Sequence, residues 1–336
     1  MTKLKFVKPE NYSGFSTQWA KYLPIIKKKD YVVRDISVGG DAPKDFIQIY
    51  LFGKVRRKNT KKWIGYIAKV AGKWYPVESI TEYFLSKIGE ELGLLMANSK
   101  LVLIAGQIRF LSQYFLNHQT EELVHGVDIY AGYISDKSLV EEIEKKQMAQ
   151  EFFTFQFAEQ AIRCIFPEEA NIIIQQFVKM LVFDALIGNN DRHFYNWGVI
   201  RNTSKKNKNR FSPIYDTARG MFWNDSETKI AEVVNDKVRL PSYLDKYVKK
   251  SKPKTGWKGV KQLTHLQLVQ HLYDYHDDYR KIITDLAEQK NENRVLDMID
   301  QEFSMLLSIN RTFLIKECLK KRFELIRNIK HTNHEQ

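Results

Sequence analysis

The feature that most constrains this fold is a long apolar segment, residues 171–187, which runs directly into a polar loop rich in asparagine and aspartate. Drawn as a helix, the segment is apolar on almost every side, which is the pattern of a helix buried in a protein core. Gly188 follows at once and suits the left-handed conformation that ends many helices. Asn189 and Asn190 favour turn conformations, so the sequence predicts a loop held rigidly at the end of a buried helix.

Two residues of this loop, Asp191 and Asn196, have the spacing D-x-x-x-x-N. A kinase catalytic loop uses that spacing to place a proton-accepting carboxylate and a magnesium-binding amide on one short segment. Residues 197–200 and 211–215 have the pattern of two short strands joined by a polar turn, so Asp216 would lie at the end of the second strand and close to Asn196. These residue types suit phosphoryl transfer, which requires a base and ligands for magnesium. The alternative is an ordinary polar turn between a core helix and a hairpin.

The segment LIGNNDRHFYNWGVI, followed by FSPIYD, resembles the catalytic core of the HipA-like serine/threonine kinases, which carry N-x-D-x-H-x-x-N and then P-x-Y-D. This resemblance implies that Asp191 is the catalytic base and that Asn196 and Asp216 hold Mg²⁺. It also implies that His193 supports the loop or the transferred phosphate, while a hydrogen-bonded structural role is the alternative. Kinases of inositol lipid headgroups share a D-R-H-x-x-N loop, so this segment alone leaves the type of substrate open.

A second motif comprises Ser37, Gly39, Gly40 and Lys44, just before a predicted strand. Paired glycines let a backbone approach phosphates closely, although the same residues also suit an ordinary turn. HipA-like kinases carry I-S-x-x-G-x-x-x-K at the corresponding place, and the residues from Ile36 to Lys44 match that form. The resemblance implies an ATP-binding loop in which Ser37 is autophosphorylated, and this modification expels the loop from the nucleotide site.

One hairpin later, a strand containing Lys69 resembles the strand whose lysine contacts nucleotide phosphates. In the following helix, Glu82 stands where an ion-pair partner for Lys69 would lie. Ser79 and Glu82 also have the spacing of a capping box, in which Glu82 bonds the first backbone N–H of the helix. Both roles of Glu82 stay open, and they do not exclude each other.

Together these motifs predict an α+β, bilobal fold of the protein-kinase type. Residues 1–115 would form a small β-rich N-lobe, closed by strands at 101–105 and 107–115. Residues 116–336 would form a larger, mostly helical C-lobe that carries the catalytic loop and the magnesium site.

Within the C-lobe, the helical pattern begins near residue 138. Residues 141–157 have the pattern of one amphipathic helix, and residues 263–329 that of a helical bundle.

The net charge of +13 is concentrated in three stretches without an acidic residue, which are residues 54–62, 201–210 and 246–261. Such runs are usually exposed loops, and the last, with Pro253 and Gly256, has the pattern of a mobile insert between helices. Attraction to an acidic partner such as RNA or a tRNA-bound enzyme is the functional alternative, so direct nucleic-acid binding stays open.

Composition narrows the class of protein. A chain of 336 residues that is 43% hydrophobic can bury a substantial core. Charges interrupt every apolar stretch before the roughly eighteen residues of a membrane span, and the first residues lack the apolar run of a signal peptide. Cys164 and Cys318 are too few for a disulfide framework or a zinc site. We therefore expect a cytoplasmic, globular protein without a membrane span.

The family resemblance extends from Ser37 to Asp216. It implies an ATP- and Mg²⁺-dependent protein kinase of the short type, without the extra N-terminal subdomain of longer members. Some short members work with a separate small protein that supplies the missing piece, and others are free-standing effector kinases. The usual setting of the family implies a toxin–antitoxin pair in which the kinase modifies an aminoacyl-tRNA synthetase and halts translation. A kinase of phosphoinositide-like or other small hydroxyl compounds, and a kinase-shaped module that binds nucleotide without turnover, are the alternatives.

Overall fold

The structure is a computed structural model that describes residues 4–15, 22–36, 43–117, 119–204 and 207–330. The strands are β1 (Asn11–Tyr12), β2 (Tyr31–Arg34), β3 (Lys44–Ile49), β4 (Ile64–Val70), β5 (Trp74–Tyr75), β6 (Ser99–Ile104), β7 (Gln107–Gln113), β8 (Glu121–His125), β9 (Gly198–Asn202) and β10 (Arg210–Phe211). The helices are α1 (Val77–Glu91), α2 (Gly126–Ile134), α3 (Lys137–Lys145), α4 (Ala149–Phe152), α5 (Phe155–Ile165), α6 (Ala170–Ile187), α7 (Glu227–Asn235), α8 (Arg239–Lys249), α9 (His265–Tyr275), α10 (Asp277–Leu286), α11 (Gln289–Met298) and α12 (Ile309–Arg327).

The N-terminal part is built on a five-stranded antiparallel sheet in the order β2-β3-β4-β7-β6. One face carries a buried apolar cluster that includes Ile47, Tyr66 and Ala68. Because successive side chains of a strand alternate between faces, Lys69 points to the opposite face from Ala68. Lys44 lies directly across from Lys69 in the register of β3 and β4, so both lysines belong to the same face.

The contacts between this sheet region and the helical region include a ring pair and a backbone bridge. Phe84 of α1 packs edge-on against Phe303, with ring centroids 5.0 Å apart. The backbone of Ile214 donates to Leu95 O at 2.8 Å, and its carbonyl accepts from Ala97 N at 3.0 Å. This backbone bridge carries the chain under the sheet two residues before Asp216, and so it determines where Asp216 lies.

Helix α6 forms the centre of the helical region, as the apolar pattern predicts, and Gly188 ends it with φ of 66°. The helix is long and apolar enough to cross a membrane, but 72% of it is buried inside the protein. Burial of this kind is the behaviour of a core helix, and it agrees with the apolar side chains on almost every face.

Several local predictions are confirmed. Strands β6 and β7 pair as expected, β9 pairs with β10, and the helical bundle is present from α9 to α12. Strand β10 is shorter than expected, so Asp216 follows it after an irregular segment that the Ile214 bridge fixes. The predicted boundary between the lobes, near residue 115, falls between β7 and β8 and stays a prediction.

Other local predictions are wrong. Residues 141–157 are not one helix, because Gln147 adopts a left-handed φ of 56° and Thr154 starts a new helix by accepting from Phe157 N. Strand β8 and helix α2 precede the predicted start of helical structure near 138. The capping box does not form: α1 begins at Val77, and Ser79 Oγ accepts instead from Ala71 N.

The predicted mobile insert at 246–261 is also wrong. Its first residues complete α8, and the rest is tied to the helices beside it. Gly256 exchanges backbone hydrogen bonds with Phe153 and Phe155, and a Cβ there would lie 1.7 Å from the carbonyl oxygen of Gln150. Proline and glycine at these positions permit close packing, and they do not mark a loose connection.

Candidate active site

The loop after α6 is folded tightly around the backbone of Asp191. The carbonyl of Asp191 accepts two hydrogen bonds, from Asn196 Nδ2 and from His193 N, both at 2.9 Å. The carbonyl of His193 in turn accepts from Asn196 N at 2.9 Å. These bonds orient Asn196 and leave the Asp191 side chain 42% exposed at the surface of the loop. A carboxylate held in this way is accessible to a hydroxyl group.

A buried ion pair supports the loop from inside. Asp184, in the last turn of α6, receives two bonds from the Arg192 guanidinium, at 2.9 and 3.0 Å. Both side chains are at most 2% exposed. Asp184 also accepts from Asn189 Nδ2 at 2.9 Å, and Asn189 Oδ1 accepts from Asp191 N at 3.1 Å. Asp184 therefore positions the loop directly at Arg192 and indirectly at Asp191.

Two residues from distant helices complete this support. His265 of α9 donates from Nε2 to Asn189 O at 2.9 Å, because a carbonyl can only accept. Arg322 of α12 donates to Ala185 O at 2.8 Å and packs under Gly188, where a Cβ would lie 2.6 Å from the guanidinium. We call Asp184, Asn189, Arg192, His265 and Arg322 the loop-support cluster.

A second group of charges lies across the cleft between the two lobes. Lys69 Nζ on β4 is 2.7 Å from Glu82 Oε1 on α1 and 3.1 Å from Asp216 Oδ1. Lys69, Glu82 and Asp216 form what we call the cross-lobe cluster. Of the two roles left open for Glu82, the ion pair with Lys69 is the one that the structure contains. Asp216 reaches Lys69 because the Ile214 bridge holds its segment beneath the sheet.

Burial and charge act against each other in the cross-lobe cluster. Burial raises the pKa of Glu82 to about 7, because the favourable charge of Lys69 offsets only part of that effect. Burial would likewise raise the pKa of Asp216, but Lys69, with help from Lys44 and Arg192, outweighs it and lowers that pKa to about 2. Burial lowers the pKa of Lys69, but the charges of Asp216 and Glu82 outweigh it and raise that pKa. At neutral pH the cluster therefore contains a cationic lysine and an ionised Asp216.

Asn196 and Asp216 fit a magnesium ion by the chemistry of their donor atoms. Magnesium prefers oxygen ligands and is commonly bound through one or two protein side chains together with substrate phosphates. Asn196 Nδ2 is engaged by Asp191 O, so its amide oxygen is the atom that can coordinate a cation. Arg192 Nη1 donates to both Asn196 O and Tyr215 O, which holds the residue next to Asp216 against Asn196. Among the described residues there is no group of three or more His, Cys, Asp or Glu side chains that could hold a metal ion, so a magnesium ion here would also need ligands from the substrate phosphates.

The other predicted residues differ in what the structure says of them. Lys44 lies beside Lys69 on the sheet, and its charge contributes to lowering the pKa of Asp216. His193 accepts from Tyr195 N at Nδ1, 3.3 Å away, which is a local structural contact within the loop. Ser37, Gly39 and Gly40 lie outside the described residues, so their predicted role stays a prediction.

Arg219 is a site residue that no sequence motif indicated. Its guanidinium lies 3.0 Å from Glu78 Oε1 on α1 and 3.9 Å from Asp191 Oδ2, and it stacks over the Trp223 ring at 3.8 Å. A positive charge therefore stands between the first turn of α1 and the exposed carboxylate of the loop. The only sequence signal was its place three residues after Asp216.

Comparisons with known proteins place the chain in a family and a fold. The model of the HipA-like C-terminal domain matches residues 36–298. No curated protein sequence matches the chain. The crystal structure of the Helicobacter pylori proinflammatory kinase CtkA superposes with a TM-score of 0.70 at 17% identity, over 90% of this chain and 97% of that one. HipA of Shewanella oneidensis MR-1, solved with HipB and operator DNA, superposes with a TM-score of 0.45 at 16% identity, over 88% of this chain and 67% of that one.

The likeness to CtkA is one of fold, and it confirms the predicted α+β, bilobal, kinase-like architecture with a small β-rich lobe and a larger helical one. The family match covers Lys69, Asp191, Asn196 and Asp216 and ends before α12, so Arg322 lies beyond it.

Proposed function

The chain belongs to the HipA-like family, as its motifs predict, and we propose that it is an ATP- and Mg²⁺-dependent kinase that phosphorylates serine or threonine hydroxyls of proteins. The observation that carries this proposal is the 3.1 Å contact between Lys69 Nζ and Asp216 Oδ1, together with a loop that presents Asp191 and Asn196. Phosphoryl transfer needs little covalent chemistry from the protein, and positioning with charge stabilisation supplies most of the catalysis.

Each side chain would have one task. Lys69 would bind the phosphates of ATP, oriented by Glu82 at 2.7 Å. Asp191 would accept the proton of the acceptor hydroxyl as the phosphate is transferred. Asn196 and Asp216 would hold Mg²⁺, which when bound neutralises charge on the phosphates. Arg219, near both Glu78 and Asp191, would keep the Asp191 carboxylate directed into the cleft.

The direct test is the intact mass of the purified protein after incubation with ATP and Mg²⁺, compared between the wild type and Asp191→Ala, with peptide mapping of any phosphate. We expect added phosphate in the wild type alone, because autophosphorylation needs the same base as transfer to a substrate. Phosphate on Ser37 would support the loop mechanism that the family resemblance implies. Unchanged mass despite ATP consumption favours a small hydroxyl substrate, and binding without consumption favours a non-catalytic module.

The biological setting forms a further part of the proposal. We propose that the protein acts in the cytoplasm, on a protein such as an aminoacyl-tRNA synthetase, and that its partner is an antitoxin or a small protein that supplies the missing N-terminal subdomain. Supporting facts are the family membership and two unpaired cysteines, Cys164 and Cys318. Induced expression should then arrest growth in the wild type but not in Asp191→Ala. Equal arrest by both proteins would contradict a toxic kinase activity.

A further inference from the structure

The segment of residues 249–261, here called the basic segment, carries six exposed lysines and no acidic residue. Lys249 pairs with Asp245 at 3.1 Å, and Lys252 Nζ lies 3.3 Å from Gln262 Oε1. The remaining four have no carboxylate within 4.0 Å in the described parts of the chain, namely Lys250, Lys254, Lys258 and Lys261. The charge of the basic segment is therefore mostly left for a partner to neutralise.

Hydrogen bonds join the backbone of the basic segment to the neighbouring helices. Gln150 Nε2 donates to Pro253 O at 2.8 Å and to Leu263 O at 3.0 Å. Further along, Lys258 N donates to Gln156 Oε1 at 3.1 Å. With Gly256 bonded to the chain between α4 and α5, the lysines project from a rigid base. Because this backbone is already ordered, binding costs less conformational entropy than it would for a charged stretch in a flexible loop.

The basic segment begins beside the catalytic loop. Lys252 N donates to Asn190 Oδ1 at 3.1 Å, and Asn190 directly precedes Asp191. Asn190 N in turn donates to the carbonyl of Arg219, 3.4 Å away. Lys252 is thus linked, through Asn190, to the residue whose carboxylate would accept the proton of the substrate hydroxyl.

We propose that the basic segment binds a carboxylate-rich stretch of the protein substrate next to the hydroxyl that is phosphorylated. This inference rests on the proposed kinase function and names the kind of substrate that the site takes. A run of aspartates or glutamates would pair with lysines whose charge no neighbour neutralises, and it would bring the acceptor hydroxyl to Asp191.

The aromatic residue of the segment argues for a protein partner and against a nucleic acid. Single-stranded nucleic acids bind through basic grooves that also offer aromatic faces for base stacking. Trp257 is the one aromatic side chain of the basic segment, and it is already stacked against Phe155 at 5.7 Å and His271 at 5.0 Å. The lysines therefore offer charge without a stacking platform, which suits carboxylates along a peptide.

Binding measured without ATP tests this inference separately from catalysis. The probes are a fluorescent serine peptide flanked by glutamates, the matched peptide flanked by lysines, and a single-stranded RNA oligonucleotide. The test variant carries three substitutions in the basic segment, which are Lys250→Glu, Lys254→Glu and Lys258→Glu. The matched control, with the same change in charge, is Lys54→Glu, Lys58→Glu and Lys62→Glu in the exposed stretch of the β-rich lobe.

We expect the wild type and the control to bind the glutamate-flanked peptide equally, and the basic-segment variant to bind it roughly tenfold more weakly, since several exposed ion pairs are lost. Added salt should weaken the wild-type affinity as well. The proposal is overturned if the control loses as much affinity, if the lysine-flanked peptide binds equally well or no probe binds, or if RNA binds more tightly than the acidic peptide. If the protein is not a kinase, the mass experiment shows it, whereas this binding assay tests only the contact between the basic segment and the acidic peptide.

Discussion

The two charge clusters of the site differ in what surrounds them. The cross-lobe cluster joins two lobes, and its Asp216 side chain is 34% exposed to the cleft. The loop-support cluster lies within the helical lobe, and its Asp184–Arg192 pair is almost fully buried. Charges in a cleft can exchange partners when ATP and metal bind. A buried pair cannot, because each partner would be left uncompensated.

This difference assigns the clusters to different properties of the protein. The loop-support cluster should contribute strongly to the free energy of unfolding, and it should hold the catalytic loop in its shape. The cross-lobe cluster should determine phosphate and metal binding, at a smaller cost in stability. Glu82 of the cross-lobe cluster and His265 of the loop-support cluster also respond to acid in opposite directions, because burial raises the pKa of the carboxyl group and lowers that of the imidazole.

The largest loss of stability is expected for Asp184→Asn. This change leaves the Arg192 charge buried without a carboxylate, so the free energy of unfolding should fall by ~3–5 kcal/mol. Urea unfolding measures it. The control is Glu122→Gln, which removes a carboxylate whose pair with Arg201 is about half exposed, and there we expect a loss of at most ~1 kcal/mol. Equal losses in the two variants would remove the distinction between buried and exposed pairs.

His265 should make the protein sensitive to acid. Burial, and then the charge of Arg322, lower its pKa to about 3 from an ordinary value of 6.5. As the pH falls below about 6.5 the unfolded chain binds a proton and the folded one does not, so stability present at neutral pH is lost, by on the order of 4 kcal/mol near pH 3. In His265→Gln, urea unfolding across this range should show a shallower loss. The same acid slope in both proteins would contradict the assignment.

Glu82 should have the opposite effect. Its folded-state pKa is about 7, above the ordinary 4.5, so its contribution to stability is fully present below about pH 4.5 and is lost as the pH rises to 7. The loss is up to ~3 kcal/mol. Comparing unfolding of the wild type and Glu82→Gln over this range isolates the effect from the histidines. A variant whose stability falls with rising pH as steeply as the wild type would show that Glu82 is ionised throughout.

The smallest effect concerns the link from Arg219 to α1. Glu78→Gln removes one of the two carboxylates near the Arg219 guanidinium. We expect the activation free energy of phosphate transfer to rise by ~1 kcal/mol, which lowers the rate roughly fivefold. The control is Glu90→Gln, which breaks the Lys87 pair at the far end of the same helix. A rate that is equal in the two variants would mean that Arg219 positions nothing in catalysis.

The sequence predicted the motif residues of the site better than the distant supports of the catalytic loop, for a physical reason. Asp191 and Asn196 are close in the chain, and Lys69 and Glu82 occupy a strand and the next helix, so local spacing brings the two members of each pair near each other. His265 and Arg322 contact the loop from 76 and 137 residues away, at Asn189 and Ala185. No local pattern encodes such contacts.

One signal for the buried cluster was available in the sequence. Asp184 is the one carboxylate of a largely apolar helix, and a charge in such a helix is rarely buried without a partner. It indicated a buried cation, and Arg192 is the cation found. By contrast, the basic segment could not be separated from a loose insert by composition, because its rigidity depends on Gln150 and Gln156 in distant helices.

The measurement that tests the central claim most directly is phosphate transfer by Asp191→Asn, made together with its affinity for ATP and Mg²⁺. Asparagine keeps the shape of the side chain but cannot accept the proton, so we expect transfer to fall by a factor of ~10² to 10⁴. The affinity should stay as in the wild type, since Lys69, Asn196 and Asp216 are intact. Transfer at the wild-type rate would contradict the account, because the base would then lie elsewhere.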